Sequence, residues 1–216
     1  MIIFNHKGQE KGPQDFSQEI DVRYFIDNDY DYGKDHRLVC AHDIDEVWCD
    51  AKDFKKYVRK WLSKNKDGML AINIKEDGLA LYLKEEIGYT CLPYDRFFCF
   101  DMSQKEVQQY KKAGLPIATS VSSYGVDYPA GDFLLFDWFP ELPYSYEQLY
   151  KYCYAYSMYD TLFLGDEKFI AISPELHDED FKQDEIRKFW KWCAEKKFFG
   201  IITDYPEEAE KFFQTK

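Results

Sequence analysis

Residues 69–112, MLAINIKEDGLALYLKEEIGYTCLPYDRFFCFDMSQKEVQQYKK, alternate twice between a strand pattern and a helix pattern. Met69–Ile74 and Arg96–Phe100 are short apolar runs, which are typical of buried strands. Gly78–Ile87 and Gln104–Lys112 are longer amphipathic segments, which predict helices. Nearly unbroken apolar strands separated by helices favour a parallel sheet whose faces are covered by those helices.

The same alternation continues in both directions along the chain. Further strands are predicted at Ile2–Asn5, Glu19–Arg23, Arg37–Ala41, Ile117–Ser120, Phe133–Phe136, Phe169–Ser173 and Ile201–Thr203, and further helices at Ala51–Ser63, Tyr146–Tyr156, Asp180 to about Lys196 and Glu207–Phe213. The acidic, aromatic residues 24–36 predict a loop. About eight such units in 216 residues predict an α/β fold, a small (β/α)₈ TIM-type barrel formed by one domain, 1–216. A doubly wound open sheet is the alternative, but no GxGxxG turn follows the first strand.

Composition excludes several classes of protein. The formal net charge is −12, which argues against a nucleic-acid-binding surface. We predict no membrane span and no secretory signal, since no apolar run is long enough and the amino terminus lacks a basic stretch before one. The six cysteines form no CxxC pair, so reduced thiols in a cytoplasmic protein are expected.

Polar side chains are concentrated near predicted strand ends. His6 and His42 each follow a strand, and Glu19 and Asp21 alternate along one strand, so both carboxylates point to the same side. Two such carboxylates repel each other unless a cation lies between them, and Mg²⁺ or Ca²⁺ prefers oxygen ligands. Each feature also has a simpler explanation, since a single histidine is often structural and Glu-x-Asp can face solvent. The residues converge only if the barrel forms.

These strand ends resemble the glycerophosphodiester phosphodiesterase family, within the phosphatidylinositol-phospholipase-C-like barrel superfamily. The family's His-Arg-Gly, Glu-x-Asp-Val, His-Asp, Asn-x-Glu-x-Lys, Ser-Phe-Asp and Gly-Ile-Ile-Thr-Asp-Tyr-Pro motifs are matched, in order, by His6–Gly8, Glu19–Val22, His42-Asp43, Ala71–Lys75, Cys99–Asp101 and Gly200–Pro206. No single match is specific, but their order along the chain is.

The resemblance implies a phosphoric diester hydrolase acting on a small soluble, glycerophosphodiester-like substrate. One divalent cation, Mg²⁺ or Ca²⁺, would be held by Glu19, Asp21 and the residue in the third ligand position, Asn73. His6 and His42 would be the general acid and base. The candidate contacts for the substrate phosphate are Lys75, Lys7, Arg23, Asp43, Glu175 and His177.

Two departures from the family pattern leave an alternative open. The third acidic ligand is replaced by Asn73, which predicts weaker metal binding. Only 13 positions separate His6 from Glu19, so the barrel is expected to be irregular or to lack its first helix. The alternative is a non-hydrolytic barrel that binds a sugar phosphate or nucleotide sugar, as in a poorly characterised bacterial branch associated with surface-polysaccharide metabolism. The tyrosine-rich segment Tyr144–Tyr159 allows a homodimer contact.

Overall fold

The computed structural model describes residues 1–11, 15–27, 35–45, 51–122, 125–126, 131–141, 145–151, 168–178 and 180–214. They form two compact units, Met1–Asn5 with Ala118–Lys216, and His6–Ile117. The prediction of one domain over 1–216 stays a prediction. Most of the tyrosine-rich segment, and with it the proposed dimer contact, lies outside the described residues.

The predicted strands and helices occur in the predicted order among the described residues, together with two short strands and one short α-helix that were not predicted. The strands are β1 Ile2–Asn5, β2 Ser17–Asp27, β3 Asp35–Cys40, β4 Lys52–Asp53, β5 Leu70–Ile74, β6 Phe97–Phe100, β7 Ala118–Ser122, β8 Gly125–Val126, β9 Phe133–Asp137, β10 Lys168–Ile172 and β11 Gly200–Thr203. The helices are α1 Gly8–Lys11, α2 Phe54–Lys64, α3 Ala80–Thr90, α4 Gln104–Ala113, α5 Gln183–Glu195 and α6 Pro206–Gln214. Residues 146–151 are also helical, and 152–156 of that predicted helix are outside the described residues.

In the unit His6–Ile117, the sheet order is β4-β3-β2-β5-β6. β2, β5 and β6 are parallel, as predicted, and Asp21 of β2 lies opposite Asn73 of β5. β3 instead pairs antiparallel with both β2 and β4. The expectation of uniformly parallel strands is therefore wrong here, because a parallel return needs a crossover of about a dozen residues or more. Residues 24–27 and 35–36 are strand rather than loop.

Helices α2, α3 and α4 bury one face of this sheet. Phe54, Val58 and Trp61 of α2 are fully buried in one cluster with Ile20 and Val22 of β2. Because residues alternate along a strand, this packing assigns Glu19, Asp21 and Arg23 to the opposite face of β2. Asp53 caps α2 by accepting a hydrogen bond from the Lys56 amide at 2.8 Å.

In the other unit, β1, β11, β10, β9 and β7 are parallel and adjacent in that order, and β8 pairs antiparallel with β7. Asn5 lies opposite Thr203, and Ile172 lies opposite Asp137. The carboxyl ends of these parallel strands therefore share one edge. An aromatic cluster from α5 packs on this sheet, with Trp190 and Phe189 fully buried.

The described residues also report on membrane spans and cysteine pairing. None of the helices in the described ranges has the length and apolar character that crossing a bilayer requires. The four described cysteines, Cys40, Cys91, Cys99 and Cys193, are unpaired, and all but Cys91 are buried.

Candidate functional site

The carboxylates of Glu19 and Asp21 are the centre of the site, and the protein buries both almost completely. Glu19 is 2% exposed and Asp21 is 1% exposed. Buried carboxylates need hydrogen-bond or charged partners, because water no longer solvates them. Their partners lie in three places: in the turn after β1, near the end of β5, and at the residue that directly follows β5.

The turn after β1 provides donors to both carboxylates. Lys7 adopts a left-handed backbone conformation with φ of 47°, and its amide N–H donates to Oε2 of Glu19 at 2.8 Å. Gln9, in α1, donates from Nε2 to Oδ2 of Asp21 at 2.6 Å and accepts the Asp21 amide N–H at 3.3 Å. The stretch between the His-Lys-Gly motif and β2 is too short for a full first helix, and the single-turn helix α1 lies there instead.

Gly8 allows this turn to approach β2 closely. A Cβ atom at position 8 would lie 2.8 Å from Cβ of Gln18, well inside normal contact. The side chain of Lys52 in β4 fixes the turn from another direction, because its amine donates to the carbonyl oxygen of Gln9. Gly8 is therefore needed for space, and Gln9 can reach Asp21 only because of that approach.

The end of β5 provides Asn73 and Lys75. Nδ2 of Asn73 donates to Oε1 of Glu19 at 3.2 Å, and Nζ of Lys75 lies 3.0 Å from Oδ1 of Asp21. Asn73 is 9% exposed, and its Oδ1 atom is buried without a hydrogen-bond partner. A buried amide oxygen without a donor costs free energy unless something else occupies its lone pairs.

The Glu19 carboxylate is difficult to ionise. Burial and the neighbouring Asp21 carboxylate raise the pKa of Glu19 from 4.5 to about 7. His6 opposes this rise electrostatically, and so do the hydrogen bonds from Lys7 and Asn73. The effect of His6 on the Glu19 pKa shows that this predicted histidine belongs to the electrostatic environment of the carboxylate pair.

His42 lies after β3, next to a carboxylate and a guanidinium group. Its Nδ1 atom lies 3.0 Å from Oδ1 of Asp43, so Asp43 holds the Nδ1–H tautomer of the neutral ring. Arg23 donates from both Nε (3.0 Å) and Nη2 (2.8 Å) to the His42 carbonyl oxygen. Asp43 and Arg23 both contact His42 in this geometry, and their predicted contacts with phosphate stay predictions.

Glu175 and His177 belong to the other unit and have different surroundings. Glu175 is 4% exposed, and its oxygens accept hydrogen bonds from the hydroxyls of Ser173 and Thr203. Burial raises the pKa of Glu175. Both oxygens of Glu175 thus have protein donors in this structure, and its predicted phosphate contact stays a prediction. His177 pairs with Asp137, Nε2 to Oδ1 at 2.5 Å.

Sequence reasoning missed Gln9 and Asp137. Gln9 follows the His-Lys-Gly motif in a polar stretch, and nothing local marks it as a buried side chain. Asp137 ends an apolar strand, and its position after FLLF is the one signal that placed it at a strand end. Its partner lies 40 residues further along the chain.

The donor set around Glu19 fits a hard divalent cation. Two carboxylates and the unpartnered amide oxygen of Asn73 come from adjacent parallel strands, and all three are oxygen donors. The described residues contain no group of three His, Cys, Asp or Glu side chains arranged to hold a metal, so Asn73 would have to be the third ligand. Which ion binds, and whether one binds, stays a prediction.

Comparison with solved structures identifies the fold. A glycerophosphodiester phosphodiesterase from Parabacteroides distasonis matches 99% of this chain and 97% of its own, with a TM-score of 0.58 and 13% identity. A glycerophosphoryl diester phosphodiesterase from the same organism matches 99% and 86%, with a TM-score of 0.55 and 13% identity. A Galdieria sulphuraria protein attributed to the same enzyme class matches 99% and 97%, with a TM-score of 0.65 and 12% identity.

The chain therefore has the α/β, TIM-type barrel fold of the glycerophosphodiester phosphodiesterases. This confirms the predicted fold class and, at the level of fold, the resemblance found in the strand-end motifs. The sequence matches no protein-family model and no curated protein. Identities of 12–13% to the solved structures establish the fold and leave the activity to be argued from the site.

Proposed function

We propose that this protein is a metal-dependent phosphoric diester hydrolase acting on a small soluble phosphodiester. The observation that carries the proposal is the buried oxygen cluster of Glu19, Asp21 and Asn73, in which Oδ1 of Asn73 has no protein donor. The fold supports it, because the neighbours named above include a glycerophosphodiester phosphodiesterase and a glycerophosphoryl diester phosphodiesterase.

Glu19, Asp21 and Asn73 would hold the cation. When bound, a divalent ion draws negative charge off the non-bridging oxygens of the phosphate. Lys75, ion-paired with Asp21, keeps a further positive charge beside the carboxylates. These cations offset the net acidity of the chain at the place where an anionic phosphodiester would bind.

His6 and His42 are the proton-transfer groups in this proposal. One takes the proton of the attacking water or substrate hydroxyl as its oxygen bonds to phosphorus. The other gives a proton to the departing alcohol oxygen as its bond to phosphorus breaks. The Asp43 carboxylate favours the tautomer of His42 that carries the proton on Nδ1 and leaves Nε2 to exchange one.

The experiment measures hydrolysis of a glycerophosphodiester and of an aryl phosphodiester by the purified full-length protein, with Mg²⁺, with Ca²⁺ and with a chelator. We expect turnover only with a cation, and losses of about 100-fold or more in His6→Gln, His42→Gln and Glu19→Gln. The matched control is Glu86→Gln, which changes another largely buried carboxylate, 13% exposed and paired with Lys55 away from the proposed site residues. Equal turnover in all four variants would exclude the assigned roles.

A specific observation also favours the non-hydrolytic alternative. Each oxygen of Glu19 and Asp21 already accepts a hydrogen bond or an ion pair from Lys7, Asn73, Gln9 or Lys75. Carboxylates whose charge is already stabilised by protein donors need a metal ion for that purpose less than carboxylates without donors do. Calorimetry separates the two proposals: sugar-phosphate binding without any divalent-ion binding or hydrolysis would support the binding protein.

A further inference from the structure

A second polar pair lies at the carboxyl edge of the unit formed by Met1–Asn5 and Ala118–Lys216. Asp137 ends β9, and His177 follows the short 3₁₀ turn Pro174–Leu176 after β10. The two strands are parallel, with Asp137 opposite Ile172, so both side chains emerge at the same edge. The side chains are only 20% and 18% exposed, and Nε2 lies 2.5 Å from Oδ1.

The turn that carries His177 is held by hydrogen bonds among buried side chains. The buried carboxyl group of Glu175 joins the hydroxyls of Ser173 and Thr203, and the indole N–H of Trp190 donates to Ser173 Oγ at 3.0 Å. The His177 amide donates to the Pro174 carbonyl at 3.1 Å. A histidine on such a turn is held in one place before any ligand arrives, which lowers the entropy lost on binding.

The pairing also determines which atoms remain available. A carboxylate only accepts hydrogen bonds, so Nε2 carries the proton and Nδ1 of the neutral ring is an acceptor. Within the described ranges, neither Nδ1 of His177 nor the second oxygen of Asp137 contacts a protein donor. The Phe139 ring lies 4.0 Å from the His177 ring, centroid to centroid, and adds an apolar surface.

The charges at this pair do not suit a phosphate. Asp137 is anionic, and in the part of the chain that the structure describes no lysine or arginine forms an ion pair with it. Two hydrogen-bond acceptors beside an aromatic ring instead fit the donor hydroxyls and C–H surface of a polyol. A small number of fixed polar groups next to an apolar wall is the usual form of a small-molecule subsite.

We propose that Asp137 and His177 form a hydroxyl-binding subsite that recognises a polyol group, with Nδ1 of His177 and the second oxygen of Asp137 as acceptors. Asp137 is also the positioning residue, because it determines the tautomer of His177. The choice of a glycerol phosphate as the probe rests on the proposed function, whereas the subsite is argued from residues of this unit alone. The subsite itself can be tested without catalysis.

The test compares glycerol 3-phosphate with propyl phosphate, which has the same carbon chain and phosphate but no hydroxyls. Histidine ring signals of the full-length protein are followed by nuclear magnetic resonance, and affinities are measured by calorimetry. We expect glycerol 3-phosphate to shift the His177 signals and to bind about tenfold more tightly than propyl phosphate. Asp137→Ala and His177→Phe should remove this preference, and Asp137→Asn should change the tautomer reported by the ring ¹⁵N shifts.

Three results would overturn the subsite: equal binding of the two ligands by the wild-type protein, unchanged His177 signals, or an equal shift of those signals by inorganic phosphate. The first two need only the wild-type protein, so a variant that does not fold cannot obscure them. If the protein hydrolyses no phosphodiester but shows the tenfold preference, the proposed function fails and the subsite stands. If it hydrolyses phosphodiesters without the preference, the subsite alone fails.

Discussion

The substitution Asn73→Asp tests the candidate cation site most directly, because it adds one charge with almost no change in shape. Asn73 is 9% exposed, and its Nδ2 atom lies 3.2 Å from Oε1 of Glu19. The variant replaces this donor by a carboxylate oxygen. Two full charges at that separation repel by about 5 kcal/mol at an effective dielectric constant of about 20.

Proton uptake reduces this loss in the absence of metal. The pKa of Glu19 is already raised to about 7, so protonating it at neutral pH costs little. We therefore expect Asn73→Asp to lower the free energy of unfolding by about 2 kcal/mol without a divalent ion. With Mg²⁺ or Ca²⁺, the third carboxylate should strengthen ion binding at least tenfold, or about 1.4 kcal/mol, and restore the stability.

Urea unfolding with and without each cation, together with calorimetry of ion binding, measures both effects. The control is Asn65→Asp, since Asn65 is also buried, at 6% exposure, and donates from Nδ2 to the Phe16 carbonyl oxygen at 3.3 Å. That variant should lose stability and gain none back from the cation. If the cation binds Asn73→Asp no more tightly than the wild-type protein, Asn73 is not a ligand and the proposed site is wrong.

Three further predictions concern neighbouring residues. The folded-state pKa of Glu19, about 7, lies above its ordinary value of 4.5, so the stability that comes from its protonated form is fully present below about pH 4.5 and is lost as the pH rises through 7. Urea unfolding of the metal-free wild-type protein should therefore show a loss of about 3 kcal/mol of unfolding free energy over that range. The Glu19→Gln variant should show no such loss. Arg23→Gln removes both hydrogen bonds to the His42 carbonyl, so kcat should fall about 10–100-fold with little change in KM, whereas a rise in KM alone would indicate a phosphate contact instead. Gly8→Ala forces a Cβ to within 2.8 Å of Gln18 Cβ and should cost about 1–3 kcal/mol, seen as a lower thermal midpoint; an unchanged midpoint would show that α1 can move away from β2.

Part of the fold followed from local patterns. The apolar runs of β1, β5, β6, β9 and β11 were predicted because burial on both faces leaves a continuous apolar signal. Residues 24–27 and 35–36 were wrongly predicted as loop, because the acidic residues around them gave no such signal. These residues are strand because β2 pairs with β3, and that pairing depends on the register between the two strands, which composition does not reveal.

The sequence by itself determined which carboxylates share a face. Glu19 and Asp21 are two residues apart, and alternation along a strand requires both side chains to leave the same side. It also determined that polar groups follow strand ends, where parallel strands place them together. Those conclusions need only backbone geometry over a few residues, and the comparisons with solved structures confirmed the fold on which they depend.

Only the tertiary structure decided which partners the carboxylates have. The contact of Gln9 with Asp21 spans 12 residues, and the contact of His177 with Asp137 spans 40. Each depends on how a turn packs against a strand and on the register between strands. The unpartnered oxygen of Asn73 arises in the same way, because its neighbours are fixed by the pairing of β2 with β5. Burial and pairing over such separations are properties of the folded chain, and no local stretch of sequence encodes them.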